Sequence, residues 1–513
     1  MKKLYFSILA ASSLFASCDM NQLPVGSLND ETAIIDKLDA LKYRNGIYYT
    51  VRDITNSDYL YDMEIQADMF VGTQINDNRL GVISSGNIYS SDQDLEGLWA
   101  DPYFYIAAVN YFLPNVERLI ANEEYSETDR IELRRYRGEA KWARAYYYYY
   151  LIDHFSPAYA LCNPDDELTG VPIVLEYSPS DRYETYPGRS SLNEVYKVID
   201  KDLEDAYIDI EAYEKSGIKN ATENLAPNAA YLSTNTVLAL QARLALLRED
   251  YETAISKAEA VIGSGKYSLT GTTNYPLIWT KDQGSEIIFR PYGDLAQSAA
   301  IQSMGSAWIS ANLDKADYVA TSNALEMYDD DDIRLEWFFE PRALTVNGQS
   351  VVAPCFVKYP GNTSLNTGQT NDLKNLPKPF RLSEMYLIVA EAAAMSSQND
   401  KANSALNAIR KARIDGYATE NYGGQTLINE VRKERARELI REGFRISDLR
   451  RWNLGFARET SYTELEYEDV TSILVPASMS VSYPAGDHRF ILPIPTAEIQ
   501  ANPQIANQQN PGY

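Results

Sequence analysis

Two stretches of the chain share one spacing of small and apolar residues, and this repeat limits the fold more than any other feature. Residues 237–262 and 382–413 each contain a helical pattern, a short polar turn and a second helical pattern. Their core positions follow the same offsets of 12, 4 and 3 residues: Ala242, Ala254, Ala258 and Val261 in the first stretch, and Ala390, Ala402, Leu406 and Ile409 in the second. Small residues at such positions let two antiparallel helices approach closely. The repeat therefore predicts helical hairpins that stack, because a single hairpin would leave its apolar face in water.

Other segments favour helix as well. Residues 139–153 include five consecutive tyrosines, Tyr146 to Tyr150, which would cover every face of a helix. We therefore expect some of these rings to be buried and others to reach the flanks of the helix. Ser191 and Glu194 form a capping-box pattern at the start of a further helix. The sequence as a whole predicts a mainly α fold of stacked tetratricopeptide-like helical hairpins that are separated by long loops.

The composition excludes several classes of protein. Hydrophobic residues make up 45% and charged residues 23% of the chain, values typical of a globular protein without long disorder. Asp and Glu (72) outnumber Lys and Arg (47), and the resulting net charge of −25 disfavours a nucleic-acid binder. Two His and three Cys are too few and too scattered for a Cys/His zinc site, and Cys162 and Cys355 could either pair or stay free. The acidic run 329–332 lacks the Gly and the terminal Glu of an EF-hand calcium loop and is interpreted as a solvated turn. We expect neither a bound metal nor a cofactor.

The N-terminus has the pattern of an export signal. Lys2 and Lys3 precede an apolar stretch, residues 4–15, that is too short to span a bilayer and leads through small residues to Cys18. Cleavage ahead of an acylated Cys would remove residues 1–17. The segment therefore resembles a bacterial lipoprotein signal peptide and predicts a lipid anchor on Cys18. An ordinary secretory signal followed by a chance Cys is the alternative.

Long polar loops separate the helical segments, and we expect the ligand there. These loops span residues 72–97, 163–188, 271–314 and 342–379. Aromatic rings beside hydrogen-bonding groups suit a shallow sugar platform, or each ring could simply pack on its own loop. The candidate ligand-binding residues on this basis are Asn76, Asn78, Arg79, Tyr89, Tyr292 and Trp308. Trp308 is the strongest candidate, because its large ring lies among Gly and Ser residues, whereas Trp99 precedes an apolar helix and is assigned to the core.

The segment around Glu438 carries the densest pattern of charge. Glu438 could pair with Arg441 or Arg445, and Glu442 with Arg445, along or beyond a helix that Gly443 ends. Such a pattern is consistent with a basic ligand-binding cluster or with a packed network of ion pairs. The packed network is the favoured interpretation.

Five blocks of sequence follow one another along the chain and together resemble a known family. They are residues 138–147 (GEAKWARAYY), residues 170–174 (GVPIV), residues 381–392 (RLSEMYLIVAEA), the charged block 434–439, 442–445 and 448–452 (ERAREL, EGFR, DLRRW), and the tail 492–495, 502–503 and 509–513 (LPIP, NP, QNPGY). The family that they resemble is the SusD/RagB family of nutrient-binding lipoproteins, and the resemblance covers nearly the whole mature chain. It implies a mostly helical fold with four tetratricopeptide-like units, long ligand-binding loops and a few short strands. The matching blocks are mainly scaffold and do not carry the ligand residues.

The resemblance also implies a function. We expect a surface-exposed lipoprotein of the outer membrane that captures oligosaccharides and delivers them to a SusC-like TonB-dependent transporter, without catalysing a reaction. The alternatives are the same role for peptides, a surface glycoside hydrolase, and a purely structural tetratricopeptide adaptor. In the mature chain we expect an N-terminal part, residues 18–230, and a C-terminal part, residues 231–513, that form one globular unit.

Overall fold

Helices make up most of the structure, which confirms the predicted mainly α fold. The chain is described here by a computed structural model, which covers residues 33–56, 58–75, 81–180 and 182–513. In chain order its α-helices are α1 (Lys37–Ile54), α2 (Asp58–Ile65), α3 (Gly81–Ser84), α4 (Gln93–Ile120), α5 (Glu127–Phe155), α6 (Leu192–Glu214), α7 (Thr234–Leu247), α8 (Tyr251–Gly263), α9 (Tyr275–Thr280), α10 (Ser322–Leu325), α11 (Ile333–Phe338), α12 (Leu382–Met395), α13 (Asn399–Arg413), α14 (Gly424–Leu439), α15 (Arg445–Arg451) and α16 (Thr496–Ala501). Within these residues no helix is both long enough and apolar enough to cross a bilayer.

The strands are short and form antiparallel pairs. In chain order they are β1 (Phe70–Gly72), β2 (Ile287–Phe289), β3 (Tyr318–Ala320), β4 (Phe339–Val346), β5 (Gln349–Phe356), β6 (Phe380–Arg381), β7 (Phe456–Ala457) and β8 (Ser482–Tyr483). The pairs are β1 with β3, β2 with β6, β4 with β5, and β7 with β8. The β4–β5 hairpin corrects the prediction of a continuous loop over residues 342–379. Asn347 and Gly348 connect its strands with φ of 48° and 79°, the left-handed backbone that a tight hairpin turn requires.

The two repeated stretches form the predicted helical hairpins. Helix α7 packs on α8, and α12 packs on α13. The eight positions that share the offsets of 12, 4 and 3 residues are all fully buried: Ala242, Ala254, Ala258, Val261, Ala390, Ala402, Leu406 and Ile409. Helix α12 also packs against α8, so the first hairpin stacks on the second. The small residues thus act as the sequence predicted, since they let the helices come close on both sides.

Helix α5 lies at the centre of the N-terminal half. It packs against α1, α4 and α6, and each of its five tyrosines, Tyr146 to Tyr150, is less than 10% exposed. All five rings are buried, those on the flanks of the helix included, because α1, α4 and α6 pack around α5. Buried hydroxyls still find partners: Tyr147 contacts Thr50 Oγ1 at 2.7 Å, and Tyr148 donates to the backbone oxygen of Val174 at 2.8 Å.

Helix α6 begins with the predicted capping box. The Ser191 hydroxyl accepts a hydrogen bond from Glu194 N at 3.2 Å, and the Glu194 carboxylate accepts one from Ser191 N at 2.9 Å. Both interactions satisfy backbone N–H groups that the first helical turn leaves without a partner. The main hydrophobic cluster draws residues from Ile34 to Ile505 and so from both expected parts of the chain. The division between residues 230 and 231 stays a prediction.

Candidate ligand-binding cleft

A cleft of about 590 Å³ opens between one face of α1 and two loops. Helix α1 contributes Asn45, Tyr48, Tyr49 and Arg52, which lie three and four residues apart and so share one face of the helix. The residues that the loops contribute are Tyr231, Tyr292, Ala296, Gln297, Ala299 and Ala300.

The opposite side of α1 holds the helix in place. Ile47 and Val51 are buried, and α1 packs against α4 and α5. Arg44 forms a two-point ion pair with Glu139 of α5, with Nε donating at 2.5 Å and Nη2 at 2.8 Å. Because this side is buried in the core, the face that begins at Asn45 points away from it.

Tyr231 forms one wall of the cleft. Its ring meets the edge of Tyr48 at a centroid distance of 5.6 Å and an angle of 89°. The Arg44 guanidinium lies 4.5 Å from the same ring centroid. Paired aromatic and cation–π contacts of this kind orient a ring without covering it completely. The Tyr231 side chain therefore stays 39% exposed.

The loop after β2 forms the other wall. The Tyr292 hydroxyl donates to Asp294 Oδ2 at 2.6 Å, and Asp294 Oδ1 accepts from Gln297 N at 3.1 Å. Arg52 Nη1 donates to the Tyr292 backbone oxygen at 2.7 Å and to Gln297 Oε1 at 2.5 Å. A Cβ atom on Gly293 would lie 2.5 Å from a methyl group of Leu376, so the loop passes closer than other residues permit. These contacts hold the Tyr292 loop against α1.

The two loops are also connected to each other through β2. Asn228 N donates to the backbone oxygen of Ile287 at 3.0 Å, and Arg290 N donates to that of Ala229 at 2.9 Å. Tyr231 and Tyr292 each follow one of these contacts within two residues. The backbone therefore fixes the distance between the two walls independently of any ligand.

The cleft carries positive charge and no lining carboxylate. Neither Asp nor Glu occurs among its lining residues, although the whole chain has a net charge of −25. Desolvation lowers the pKa of the Arg52 guanidinium, which stays charged because an arginine titrates far above neutral pH. At the rim, the hydrogen bond to Asp294 raises the pKa of the Tyr292 hydroxyl. The groups that face the cleft can stack and donate hydrogen bonds, which is the chemistry of binding.

The predicted ligand residues separate into three groups. Tyr292 lines the cleft and is 49% exposed. Tyr89 is equally exposed but does not line it. Asn76, Asn78 and Arg79 lie outside the described residues, and so does the predicted anchor, Cys18.

Trp308, the strongest sequence candidate, is a core residue, and that prediction is corrected here. Its side chain is 1% exposed. Its ring centroid lies 4.2 Å from that of Phe70 and 5.5 Å from those of Tyr318 and Phe356. These partners come from β1, β3 and β5, which the sequence around Trp308 does not reveal. No face of the ring is open to a sugar.

Of the ten residues that line the cleft, only Tyr292 was predicted from the sequence; the nine that were missed include Asn45, Tyr49, Arg52 and Tyr231. The sequence does contain a signal for three of them. Asn45, Tyr49 and Arg52 follow helical spacing along one face, while apolar residues follow the same spacing on the opposite face. Tyr231 has no comparable local pattern. Its role depends on the packing of its ring against α1.

The charged segment around Glu438 forms a buried network of ion pairs, which is the interpretation that the sequence favoured. Glu438 is fully buried and accepts hydrogen bonds from Arg381 Nη1 at 2.7 Å, from Arg413 Nε and Nη2 at 2.9 Å each, and from Arg334 Nη1 at 3.1 Å. Glu286 adds a second carboxylate to Arg381 and Arg413. The network joins α13, α14 and the strand pair β2–β6, and it contributes nothing to the cleft.

The individual ion pairs that we predicted in this segment do not form. Helix α14 ends at Leu439, and Arg441 adopts a positive φ of 62°, so the helical spacing that would join Glu438 to Arg441 or Arg445 is interrupted. Arg445 instead forms a two-point pair with Asp68, at 2.8 and 2.7 Å. Glu442 likewise does not pair with Arg445. It accepts from Arg381 Nε at 2.9 Å.

The acidic run 329–332 and the two cysteines show no sign of binding a metal ion or of forming a disulfide. Asp332 is buried and accepts hydrogen bonds from Arg334, so the acidic run 329–332 is only partly solvated. In the described residues no group of three or more His, Cys, Asp or Glu side chains could hold a metal ion. Cys162 is half-buried, Cys355 is fully buried, and both thiols are free.

Two family models match separate parts of the chain. Residues 20–231 match the family described as "Starch-binding associating with outer membrane", and residues 345–513 match the SusD family. No curated protein matches the sequence.

Solved structures share the fold. A SusD superfamily protein of Bacteroides thetaiotaomicron VPI-5482 is 24% identical, with 93% of this chain and 100% of that chain covered and a TM-score of 0.75. A SusD-like carbohydrate-binding protein of Bacteroides vulgatus ATCC 8482 is 20% identical, with 92% and 98% covered and a TM-score of 0.67. Surface glycan-binding protein A of Bacteroides fluxus is 20% identical, with 93% and 99% covered and a TM-score of 0.65. The two matched families, the ordered sequence blocks and this shared helical fold agree, and the chain belongs to the SusD/RagB family.

Proposed function

We propose that the protein is a cell-surface binding protein that captures oligosaccharides and delivers them to a SusC-like TonB-dependent transporter of the outer membrane. The cleft between α1 and the Tyr292 loop carries this proposal. Three partly exposed rings, Tyr49, Tyr231 and Tyr292, surround it together with the amides of Asn45 and Gln297. Flat rings stack on the apolar faces of sugars, while amides bind hydroxyl groups.

The size of the cleft agrees with such a ligand. A volume of about 590 Å³ falls within the range of roughly 300–1,000 Å³ that is typical of small-molecule sites. The walls are held by hydrogen bonds within the protein, so little ordering would be needed on binding. A purely structural adaptor would have no need of such a pre-formed cleft.

A glycoside hydrolase is less well supported at this site. Hydrolysis of a glycosidic bond requires two carboxyl groups flanking the bond. The lining of the cleft includes neither Asp nor Glu. Incubation of the purified protein with a bound oligosaccharide should therefore release no shorter product.

Capture of peptides is the alternative within the family. Aromatic walls and amides would also bind a peptide backbone, so the distinction needs a direct comparison. A glycan array and a peptide library should be screened with the same purified protein. Selective retention of oligosaccharides supports the proposal, and retention of peptides alone would replace it.

The decisive experiment tests the cleft itself. The best oligosaccharide from the array should be titrated by calorimetry into the wild type and into Tyr292→Ala and Tyr49→Ala. Loss of a stacked ring at a binding hot spot should cost about 2 kcal/mol, or roughly thirtyfold in affinity. Tyr183→Ala is the matched control, because Tyr183 is 56% exposed and does not line the cleft.

The first predicted loop can be tested in the same series. If Tyr89→Ala weakens binding while the two cleft variants do not, the site lies at the loop of Asn76, Asn78 and Arg79 instead. If none of the three variants weakens binding, neither location holds the ligand.

The proposal also places the protein on the outer membrane through acyl chains on Cys18. In Cys18→Ala the protein should leave the membrane fraction and become extractable without detergent, since acyl chains supply the binding energy. Retention of the variant in the membrane pellet after a high-salt wash would contradict the anchor.

The transporter partner can be tested separately. Tagged protein that is purified from membranes in mild detergent should bring with it a large TonB-dependent receptor. Recovery of the tagged protein alone would count against a stable complex.

A further inference from the structure

Arg52 lies in the cleft with only part of its guanidinium used by the protein. The residue is 5% exposed, and its two Nη1 hydrogens go to the Tyr292 backbone oxygen and to Gln297 Oε1. These contacts explain how Arg52 holds the loop. They leave the edge formed by Nε and Nη2, which has three further N–H groups.

The free edge of Arg52 has no partner among the described residues. Neither Nε nor Nη2 makes a hydrogen bond, and no carboxylate lies within ion-pair distance. Nε and Nη2 are not among the fully buried polar atoms that lack a hydrogen-bond partner. Since neither has a partner in the protein, each of them keeps some contact with solvent. The edge is therefore accessible from the cleft that Arg52 lines.

Elsewhere in the described chain, this same edge binds a carboxylate at two points. Examples are Arg44 with Glu139, Arg137 with Asp209, Arg144 with Asp202, Arg243 with Glu384, and Arg445 with Asp68. In each of them Nε and Nη2 face the two oxygens of one carboxylate, the geometry in which a planar guanidinium binds most strongly. Arg52 offers the same two donors without an acceptor.

The surrounding charges leave room for an anion. Asp53 and Asp294 lie near Arg52 and favour its charged form, but neither forms an ion pair with it. Asp53 instead accepts a hydrogen bond from the Tyr105 hydroxyl at 2.5 Å, and Asp294 accepts one from Tyr292. Both carboxylates are thus engaged elsewhere. These two carboxylates offset only part of the cost of desolvating the Arg52 cation, since its pKa is still lowered, and an anionic ligand would offset more of it.

We propose that the Nε–Nη2 edge of Arg52 binds the carboxylate of an acidic sugar, a uronic acid residue, within the oligosaccharide that the cleft takes. This rests on the proposed function and specifies the class of glycan. Tyr49, whose ring centroid lies 5.4 Å from the Arg52 guanidinium carbon, and Tyr292 line the same cleft and would stack on the sugar ring. The net charge of −25 opposes a densely charged polyanion, so the glycan carries its uronic acid among neutral sugars.

A chemically matched pair of probes tests this assignment. Oligosaccharides that contain glucuronic or galacturonic acid should be compared with the same oligosaccharides after reduction of the carboxyl group, which yields neutral sugars of the same shape. Calorimetry on the wild type should show a uronate form bound at least about tenfold more tightly than its reduced form, because a charge-assisted pair is lost.

Variants separate binding of the carboxylate from support of the loop. Arg52→Gln should abolish the preference for the uronate, and Arg52→Lys should retain part of it. Gln297→Ala removes a loop contact together with an amide of the cleft, so it should weaken binding of both forms and leave the ratio of their affinities unchanged. Arg134→Gln is the control for net charge, because Arg134 pairs with Glu127 on the surface of α5. Circular dichroism verifies that each variant is folded.

The possible outcomes distinguish the two proposals. If reduced and uronate forms bind equally in the wild type and Tyr292→Ala weakens both, the cleft binds glycans and the assignment of Arg52 is wrong. If Arg52→Gln and Gln297→Ala reduce the binding of both forms alike, Arg52 only supports the loop, and the assignment is again wrong. If neither form binds and an acidic peptide does, both proposals fail.

Discussion

Glu438 and Arg413 form a two-point ion pair without any contact with solvent. Arg413 Nε donates to Glu438 Oε2 and Nη2 donates to Oε1, each at 2.9 Å, and both side chains are fully buried. Arg334 and Arg381 contact the same carboxylate. One carboxylate thus holds three guanidinium groups that come from different parts of the chain, and α13 cannot separate from α14 without breaking the pair of Arg413 with Glu438.

The first prediction concerns this carboxylate. Glu438→Gln should lower the free energy of unfolding by about 3–5 kcal/mol, because it leaves buried cations without a compensating charge. Denaturant unfolding followed by circular dichroism measures the loss. Glu259→Gln is the matched control, since its pair with Lys401 lies on the surface and should contribute at most about 1 kcal/mol. Equal midpoints for both variants would contradict the structural role of the network.

The second prediction concerns acid stability. Burial opposes ionisation of Glu434, but the nearby charges of Arg334, Arg437 and Arg410 outweigh it and lower the pKa of this carboxyl to about 2. In the unfolded chain a Glu titrates near about 4.3. Because the pKa is lower in the folded protein, the ionised Glu434 contributes its full stabilisation above the unfolded pKa of about 4.3 and loses it as the pH falls towards about 2.

Urea unfolding between about pH 2.5 and 7 measures this dependence. The wild type should lose stability steeply below about pH 4.5, and Glu434→Gln, although less stable at neutral pH, should have a flatter profile in that range. Parallel profiles would show that Glu434 is not ionised in the folded protein at low pH.

The third prediction concerns Trp308, which the structure places in the core. Trp308→Ala should cost about 3–5 kcal/mol of stability through the cavity left among Phe70, Tyr318 and Phe356. The folded fraction should bind its ligand with unchanged affinity in calorimetry. Trp337→Ala provides the comparison, because Trp337 is 37% exposed and its loss should change stability far less. A stable Trp308→Ala protein with weakened binding would instead support the original sequence prediction.

The fourth prediction concerns the two cysteines of the body. A thiol reagent at about pH 8 should modify Cys162 in the native Cys18→Ala protein, because this side chain is only half-buried and the reagent can reach it. Cys355 should react only after unfolding, since it is fully buried and burial raises the pKa of its thiol to about 12. Cys162→Ser should remove the native reaction entirely. The absence of free thiols in denaturant without a reductant would show that the two cysteines pair.

Much of the scaffold follows from local pattern. The offsets that include Ala254 and Ala402 predicted both helical hairpins and their burial, because helix packing repeats over a few residues and is visible in one segment at a time. The capping box of Ser191 and Glu194 was predictable for the same reason. The Asn347–Gly348 pair is an equally local signal for the β4–β5 hairpin, although residues 342–379 were predicted as a loop.

For the charged segment, the sequence predicted that a network of ion pairs would form but not which residues would pair. Its density of Glu and Arg indicated a packed network, and such a network forms around Glu438. The partners were not predictable from helical spacing. The helix ends at Leu439, and Arg381 and Arg413 come from elements that lie 57 and 25 residues away from Glu438 in sequence.

The cleft depends on tertiary structure. Of its residues, Tyr292 was predicted from the sequence as a ligand candidate, whereas the polar face of α1 that includes Arg52 was not. Arg52 and Tyr292 are 240 residues apart in sequence and meet through one hydrogen bond of 2.7 Å. The sequence by itself determined the helices, their hairpins and the family, because periodic burial and capping act between residues a few positions apart. Only the tertiary structure decided that Trp308 is buried and that Arg52 faces a cleft, because exposure depends on which distant segments pack against a side chain.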